Sequence, residues 1–320
     1  MTSWTEPTGE MIEKVLRTVK KETDRQYFFS KLKNPMWLRP LFERGYFNAP
    51  PEKQVLPDNH VQYPRWPELT YLVNVAEFDS DLAIKILLDL PKVDNPIVYE
   101  GIISAALKLK GKASTQLLPK LIEYIEFKNI YIGNNFTDLV IHWNNESRLS
   151  ESLDLVKRLV GFNEDPRAQA KRSVRNDVTD DLHLSLEPRP AFSDWEYQEL
   201  MEKCAKPLAE KVPYQTFLVM VDAVSTMIYL GKHRDELEKG DDEDYSVIWF
   251  RRLDKSSPDN QDSKVILVNT LTYTGEQVYV KAPDAVPAMD QVLRNQRWKI
   301  FKRLRQHLYA LNTNEQTLPW

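Results

Sequence analysis

The chain is poor in cysteine and glycine. Its single cysteine, Cys204, excludes an internal disulfide bond and is typical of a reducing, cytoplasmic setting. Nine glycines among 320 residues fall well below the usual share of about 7%. Because few glycines mean few left-handed turns and few tight hairpins, this composition favours helix over a β-rich fold.

Long apolar runs and a strong charge of one sign are also lacking. No basic-then-apolar leader opens the chain, and no run of about 18 uncharged apolar residues occurs. We therefore expect a cytoplasmic protein with no membrane partner. The formal net charge of −4 makes the whole surface unsuited to trapping nucleic acid, but it leaves room for a local basic patch.

The common motifs of catalysis and cofactor binding do not occur in the sequence. The glycines are never closer than nine residues, so there is no phosphate-cradling loop and no dinucleotide fingerprint. The five histidines never fall three or four residues apart, which disfavours a zinc site. Cys204 lies in a helical run and is interpreted as a core residue. We expect no cofactor and identify no catalytic residue, and whether the chain is an enzyme stays open.

One acidic group has residue types that suit metal-dependent hydrolysis. Asp259 and Asp262 lie close to Lys264, and carboxylates beside a lysine can hold a divalent ion. Their spacing is too tight for carboxylates carried on strands, and the setting predicts a loop. A solvated turn is the preferred interpretation, and a hydrolytic site is the less favoured one.

What the chain does contain is helical periodicity, most clearly between Leu69 and Phe127. Four apolar segments of helical length follow one another there, separated by short polar breaks. Helices this apolar bury against one another, and short links make them antiparallel neighbours. The prediction is an all-α protein, an α-solenoid of stacked antiparallel helical hairpins (HEAT-like) with a small irregular insertion.

The same pattern predicts the organisation of the whole chain. Residues 1–60 are expected to form an N-terminal helical cap, with a loop from Asn48 to Pro64. Helical repeats are predicted for 61–161 and again for 193–320, with an acidic loop at 237–261. Between them, 162–192 is predicted to be an insertion with basic and acidic residues.

Local signals predict several helix starts. Asn34 and Asn95 each precede a proline, Ser193 and Glu196 form a capping box, and Ser114-Thr115 is expected to cap the fourth central helix. The segment from Val265 also suits a strand, because valine, isoleucine and threonine are frequent there. Its context favours helix.

Two basic clusters are candidates for phosphate or partner binding. The first cluster, in the insertion, consists of Arg167, Lys171, Arg172 and Arg175; the second, on the last helix, consists of Lys299, Lys302, Arg303 and Arg305. Insertions in repeat proteins gather on binding faces, which favours the first cluster. The alternative interpretation is neutralisation by nearby aspartates in the first case and an ordinary charged outer face in the second.

Four segments resemble a known kind of module. They read Asn34-Pro35-x-Trp37-Leu38-x-x-Leu41, Gly45-Tyr46-Phe47-x-x-Pro50-Pro51, Pro64-x-Trp66-Pro67-Glu68-Leu69-x-Tyr71-Leu72 and Trp298-x-x-Phe301-x-Arg303-Leu304-Arg305-x-His307-Leu308. Together they resemble the HEAT/armadillo-like helical-repeat module of large bacterial NTPase-associated proteins of antiviral defence. The resemblance covers about a quarter of the residues and names no catalytic residue. It implies a segment of a larger defence protein.

These observations predict a non-enzymatic scaffold or sensor segment that binds another protein, in a bacterial anti-phage defence system if the resemblance holds. The alternative is a helical-repeat protein that binds nucleic acid through one of its basic clusters. The sequence does not identify the partner or the oligomeric state.

Overall fold

The computed structural model describes residues 4–125, 133–165, 186–232, 237, 244–249 and 262–312. Within these residues the chain is mainly helical, as predicted. The only strands described there are four, each two residues long, and they form two antiparallel pairs. The chain divides into two compact units, Met1–Glu151 and Ser152–Trp320. Among the described residues, no helix is long and apolar enough to cross a membrane.

The first unit contains nine α-helices and one hairpin among its described residues. In chain order they are α1 (Gly9–Thr18), α2 (Glu22–Lys31), a 3-10 turn (Pro35–Trp37), α3 (Leu38–Glu43), β1 (Gln54–Val55), β2 (Val61–Gln62), α4 (Pro67–Val75), α5 (Ser80–Asp89), α6 (Pro96–Lys108), α7 (Lys112–Thr115), α8 (Leu118–Ile125) and α9 (Gly133–Asn145). Helix α10 (Leu149–Leu159) contains the boundary between the two units.

The helices of the first unit pack in sequence. Helix α2 packs on α4, α4 on α6 and α6 on α9, while α5 contacts α7 and α8. Their apolar faces supply the core, in which Tyr71, Leu72 and Trp143 are fully buried. Gly101 lets α4 and α6 approach closely, since a Cβ there would lie 2.3 Å from Leu69 Cδ2. The four helical segments predicted between Leu69 and Phe127 are confirmed, the last of them divided into α7 and α8.

The second unit is organised around two long helices. Its described elements are β3 (Phe162–Asn163), β4 (Arg189–Pro190), α11 (Asp194–Leu200), a π-helical turn (Met201–Ala205), α12 (Lys206–Lys211), α13 (Pro213–Leu230), a 3-10 turn (Ser246–Trp249), α14 (Ser263–Lys281), a 3-10 turn (Pro283–Ala285), α15 (Val286–Asn295) and α16 (Lys299–Asn312). Helix α13 packs along α14, and α12, α15 and α16 also contact α14. The helix predicted from Val265 is confirmed as α14, whose apolar positions Val265, Leu267, Val268 and Leu271 are buried.

The predicted helix starts are confirmed at three of four positions. Asn34 and Asn95 cap their helices through side-chain oxygens, and Ser193 with Glu196 forms the capping box. The cap predicted at Ser114 is wrong. Ser114 lies inside α7, where its buried hydroxyl donates to the Ala106 carbonyl and accepts from Trp143 Nε1 at 2.7 Å.

The loop predicted from Asn48 to Pro64 is also wrong in part, because β1 and β2 form a hairpin inside it. The acidic stretch at 237–261 has only residues 237 and 244–249 described. There Asp244 and Ser246 are buried rather than solvated. They contact the start of α16, where Asp244 accepts from the Lys299 amide and Ser246 from the Ile300 amide.

Candidate functional site

A β-hairpin projects between α3 and α4. Its two strands pair antiparallel with Val55 opposite Val61. In the turn between them, the Asn59 amide donates to the Leu56 carbonyl at 2.9 Å. Asn59 has a φ of +62°, in the left-handed region that asparagine tolerates better than most residues. A tight turn followed by a left-handed residue is a common connection in short hairpins.

The base of the hairpin is fixed by Asn95, which is buried. Its Nδ2 donates to the Pro51 and Pro64 carbonyls, each at 2.9 Å, on the two legs of the hairpin. Its Oδ1 accepts from the Ile97 amide at 3.0 Å and so caps α6. Because water cannot compete at a side chain that is only 1% exposed, these bonds hold both legs at one fixed point.

Two further contacts join the hairpin to the segment before α6. The Asp94 amide donates to Glu52 Oε2 at 2.9 Å, and the Asp94 carboxylate pairs with Lys53. Both side chains of the ion pair are about half exposed, so the pair positions the leg but contributes little to stability.

The tip of the hairpin is closed by Asp58 and His60. The carboxylate accepts from the His60 amide at 3.1 Å and lies 2.7 Å from His60 Nδ1. The hydrogen bond from the imidazole holds the pKa of Asp58 below its ordinary value. The tip is therefore polar and locally ordered, while each strand pairs one exposed valine with one exposed glutamine.

Every residue from 52 to 62 is exposed, and we call this segment the hairpin arm. Three of its side chains are aliphatic: Val55 is 63% exposed, Val61 47% and Leu56 38%. In the described part of the chain, no third strand pairs with either edge of the hairpin. An open edge beside exposed aliphatic side chains is a template on which a strand of another chain can pair.

Reasoning from the sequence missed this arm. The strands are two residues long and buried on neither face, so they leave no alternation of apolar and polar residues. The signal that was present is Pro57-Asp58-Asn59, a favourable order of residues for a turn that ends in a left-handed position.

The second predicted basic cluster is divided by the structure. Lys299, Lys302 and Arg303 are spaced three and four residues apart and share the outward face of α16, opposite the buried residues Ile300, Phe301, Leu304 and Leu308. Lys302 and Arg303 are exposed.

Arg305 turns instead towards α15. Its guanidinium donates to Asp290, which also accepts from the Tyr309 hydroxyl at 2.6 Å and pairs with Arg294 Nε at 2.6 Å. Burial alone would raise the pKa of Asp290, but the hydrogen bonds from Arg305 and Tyr309 and the charge of Arg294 outweigh it and lower the pKa. Arg305 is therefore committed to joining α15 and α16.

The other predicted residues fall partly outside the described residues. Arg167, Lys171, Arg172 and Arg175 all do so, and Asp259 does as well. Asp262 caps α14, with its Oδ1 accepting from the Lys264 amide at 2.9 Å. Among the residues that the structure describes, no three His, Cys, Asp or Glu side chains are grouped so as to hold a metal ion.

One buried carboxylate joins two helices of the first unit. Glu68, in the first turn of α4, is fully buried, and its Oε1 accepts from Arg25 Nε of α2 at 2.8 Å. Its other oxygen, Oε2, has no hydrogen-bond partner. Nearby, burial and then the charge of Glu68 raise the pKa of Tyr46. The pair fixes α2 on α4, and truncating Arg25 would leave an uncompensated buried charge.

No protein-family model matches this chain, and no curated protein sequence and no solved structure is significantly similar to it.

Proposed function

We propose that this chain is a non-enzymatic helical scaffold that binds a protein partner through the hairpin arm. The observation that carries the proposal is the combination of three exposed aliphatic side chains with a rigidly held base. An arm that is fixed at its base and carries exposed aliphatic side chains is preorganised for contact, so little ordering entropy opposes binding.

The apolar side chains of the arm favour a protein partner over a small ligand. Full burial of a valine or leucine side chain contributes about 1.5–3 kcal/mol, and here a large part of that contribution is unused. Every residue from 52 to 62 is exposed, whereas small ligands bind in concave sites that bury most of their surface. The partner that fits is one with a β-strand that pairs with the open edge and apolar side chains that cover Val55 and Val61.

The helices behind the arm suit a scaffold. The succession of α2, α4, α6 and α9, with α5 beside α7 and α8, supports the proposal that the helical hairpins of the first unit are stacked as in a solenoid. The resemblance of residues 34–72 and 298–308 to modules of bacterial defence proteins supports a partner in such an assembly as part of the same proposal.

Site-specific crosslinking tests the role of the arm. A photoreactive amino acid replaces Leu56 in the full chain, expressed in the cells that make it, and the crosslinked protein is identified, purified and titrated against the chain. We expect one discrete protein adduct and at least tenfold weaker binding of the purified partner to the double variant Val55→Asp, Val61→Asp.

The matched control is Val280, a valine on α14 that is 73% exposed and lies outside the arm. Crosslinker at Val280 should give no adduct with that partner, and Val280→Asp should leave the affinity unchanged. No adduct at position 56, an adduct only with a second copy of the chain, or equal effects of the arm and control variants would refute the proposal.

A further inference from the structure

The link between α6 and α7 is a tight turn with a lysine on each side of a glycine. The Ala113 amide donates to the Lys110 carbonyl at 3.1 Å and closes the turn. Gly111 has a φ of +55° and a ψ of −133°, as the first central residue of a type II′ turn requires. The side chains of Lys110 and Lys112 are exposed. The turn therefore presents two lysines, two residues apart, at the surface of the first unit.

Arg148 lies against this turn. A Cβ on Gly111 would lie 3.2 Å from Arg148 Nη2, so the missing side chain leaves the space that the guanidinium needs. Arg148 follows α9, and its amide donates back to the Trp143 carbonyl at 2.9 Å. Ser147 makes this possible with a φ of +60°, the left-handed conformation that commonly ends a helix. Two fixed turns therefore hold the guanidinium next to the glycine that separates the two lysines.

These three cations have no acceptors within the described protein. In the part of the chain that the structure describes, the side chains of Lys110, Lys112 and Arg148 form no ion pair and no hydrogen bond. Arg148 is partly buried, and its Nε is buried without a hydrogen-bond partner. A guanidinium that loses water without gaining an acceptor carries a desolvation cost, and a bound anion would offset it.

The neighbouring carboxylates are directed elsewhere. Glu146 Oε2 accepts from the Gly111 amide at 2.6 Å and lies 3.7 Å from His142 Nε2. Glu151 Oε1 accepts from the Thr115 hydroxyl at 3.4 Å. Three cations against these two carboxylates leave a net charge of +1 at the turn. Because the carboxylates flank the cations, they would repel the further charges of a long polyanion. The site therefore suits one compact anion.

We propose that Lys110, Lys112 and Arg148 bind the phosphate monoester of a small molecule. Such a phosphate has a charge of about −1.5 to −2 at pH 7 and three acceptor oxygens, which matches three cations. The planar guanidinium can donate to two of its oxygens at once, and the lysines add point charges on flexible stems. A phosphodiester has a single charge and fewer free oxygens, so the site favours the monoester. The proposal is independent of the hairpin arm.

Calorimetric titration of the purified full chain tests the proposal with AMP, ribose 5-phosphate and adenosine as probes. We expect both phosphate esters to bind and adenosine not to bind, because the phosphate is the group that is recognised. Arg148→Gln should weaken AMP binding at least tenfold, and Arg148→Lys at least threefold, since lysine keeps the charge but loses the paired donors. The double variant Lys110→Gln, Lys112→Gln should also lose at least tenfold.

The matched control removes the same charge elsewhere in the first unit. Lys20 and Lys21 are exposed, and their double replacement by Gln should leave the affinity for AMP within twofold of the original. Thermal unfolding without ligand verifies that each variant folds. The exposed side chains of Lys110 and Lys112 can be changed without disturbing the core, so their double variant tests the site even if Arg148→Gln is unstable.

Hydrogen exchange locates the bound ester. AMP should slow exchange at residues 109–113 and leave it unchanged at residues 299–303, on the other basic helix. The proposal would be overturned by failure of both esters to bind at millimolar concentration, by adenosine binding as tightly as AMP, or by equal losses in the two double lysine variants. Slower exchange at 299–303 alone, or tighter binding of a 5′-hydroxyl oligo(dT) than of AMP, would overturn it as well.

Discussion

At the scale of single residues, Asn95 shows how one side chain can serve two structures. Its oxygen caps α6 and its nitrogen holds both legs of the hairpin arm. Aspartate caps helices as well as asparagine does, but it has no N–H to donate. Replacing Asn95 by aspartate, which has an oxygen in place of Nδ2, therefore keeps the helix cap and removes the hydrogen bonds to the hairpin arm.

We expect Asn95→Asp to destabilise the protein by about 2–4 kcal/mol, since it leaves two buried carbonyls facing a carboxylate oxygen. Urea unfolding measures the loss, and hydrogen exchange at residues 54–62 measures the loosening of the arm. Asn34→Asp is the control, because Asn34 also caps with its oxygen but donates only to the Thr5 carbonyl. A loss as large in the control would show that the cap, not the anchoring of the arm, is affected.

Asp290 provides a second test at this scale, with a defined dependence on pH. Its pKa in the folded protein is lowered, so the unfolded chain binds a proton more readily and stability rises with pH. The contribution is fully present above the unfolded pKa of about 3.9 and is lost as the pH falls through the lower folded value.

We expect Asp290→Asn to cost about 1–3 kcal/mol at pH 7, because hydrogen bonds to a charged acceptor are replaced by weaker ones. Chemical unfolding at pH 7 and at pH 2.5 measures the difference between the two proteins, which should shrink at the lower pH. A difference that stays constant over this range would contradict the role given to the ion pairs.

At the scale of elements, α16 depends on a cap supplied from elsewhere in the chain. Asp244 accepts from the Lys299 amide, and Ser246 Oγ accepts from the Ile300 amide at 3.2 Å. These two donors would otherwise have no partner within the helix. The 3-10 turn that follows Asp244 is thereby joined to the first turn of α16.

Replacing the cap tests this element. Asp244→Ala should destabilise the second unit by about 1–2 kcal/mol and speed hydrogen exchange at residues 299–303. Asp244→Asn should lie between the two, because it keeps one acceptor oxygen for the two amides that the carboxylate serves. If Asp244→Asn were as damaging as Asp244→Ala, the negative charge rather than the cap geometry would be the important property.

Elements made by nearby residues were predictable, and those made by distant ones were not. The helices of 69–125 and the cap at Asn95 follow from spacings of three and four residues and from adjacent cap signals. The cap of α16 joins residues 55 apart, and the pairing of Arg305 with Asp290 joins residues 15 apart. Sequence spacing contains no record of such contacts. For the same reason the sequence grouped Arg305 with Lys299, Lys302 and Arg303, although it belongs to the junction of two helices.

At the scale of the whole molecule, the two units differ in what they offer to solvent. The first presents apolar side chains on the hairpin arm, and the second presents cations on α16. The net charge of −4 is a sum over both units, so it predicted a surface without a strong preference for nucleic acid. The described residues show that the average conceals two chemically distinct surfaces, each with its own test.

The outward cations of α16, Lys299, Lys302 and Arg303, have a thermodynamic consequence for the protein on its own. An anion on this helix face meets three cations that the fold holds together, which the unfolded chain does not offer, so it binds the folded chain better than the unfolded one. Phosphate or sulfate at millimolar concentration should then raise the melting temperature more than chloride of equal ionic strength does. The melting temperature would therefore report whether an anion is bound to α16.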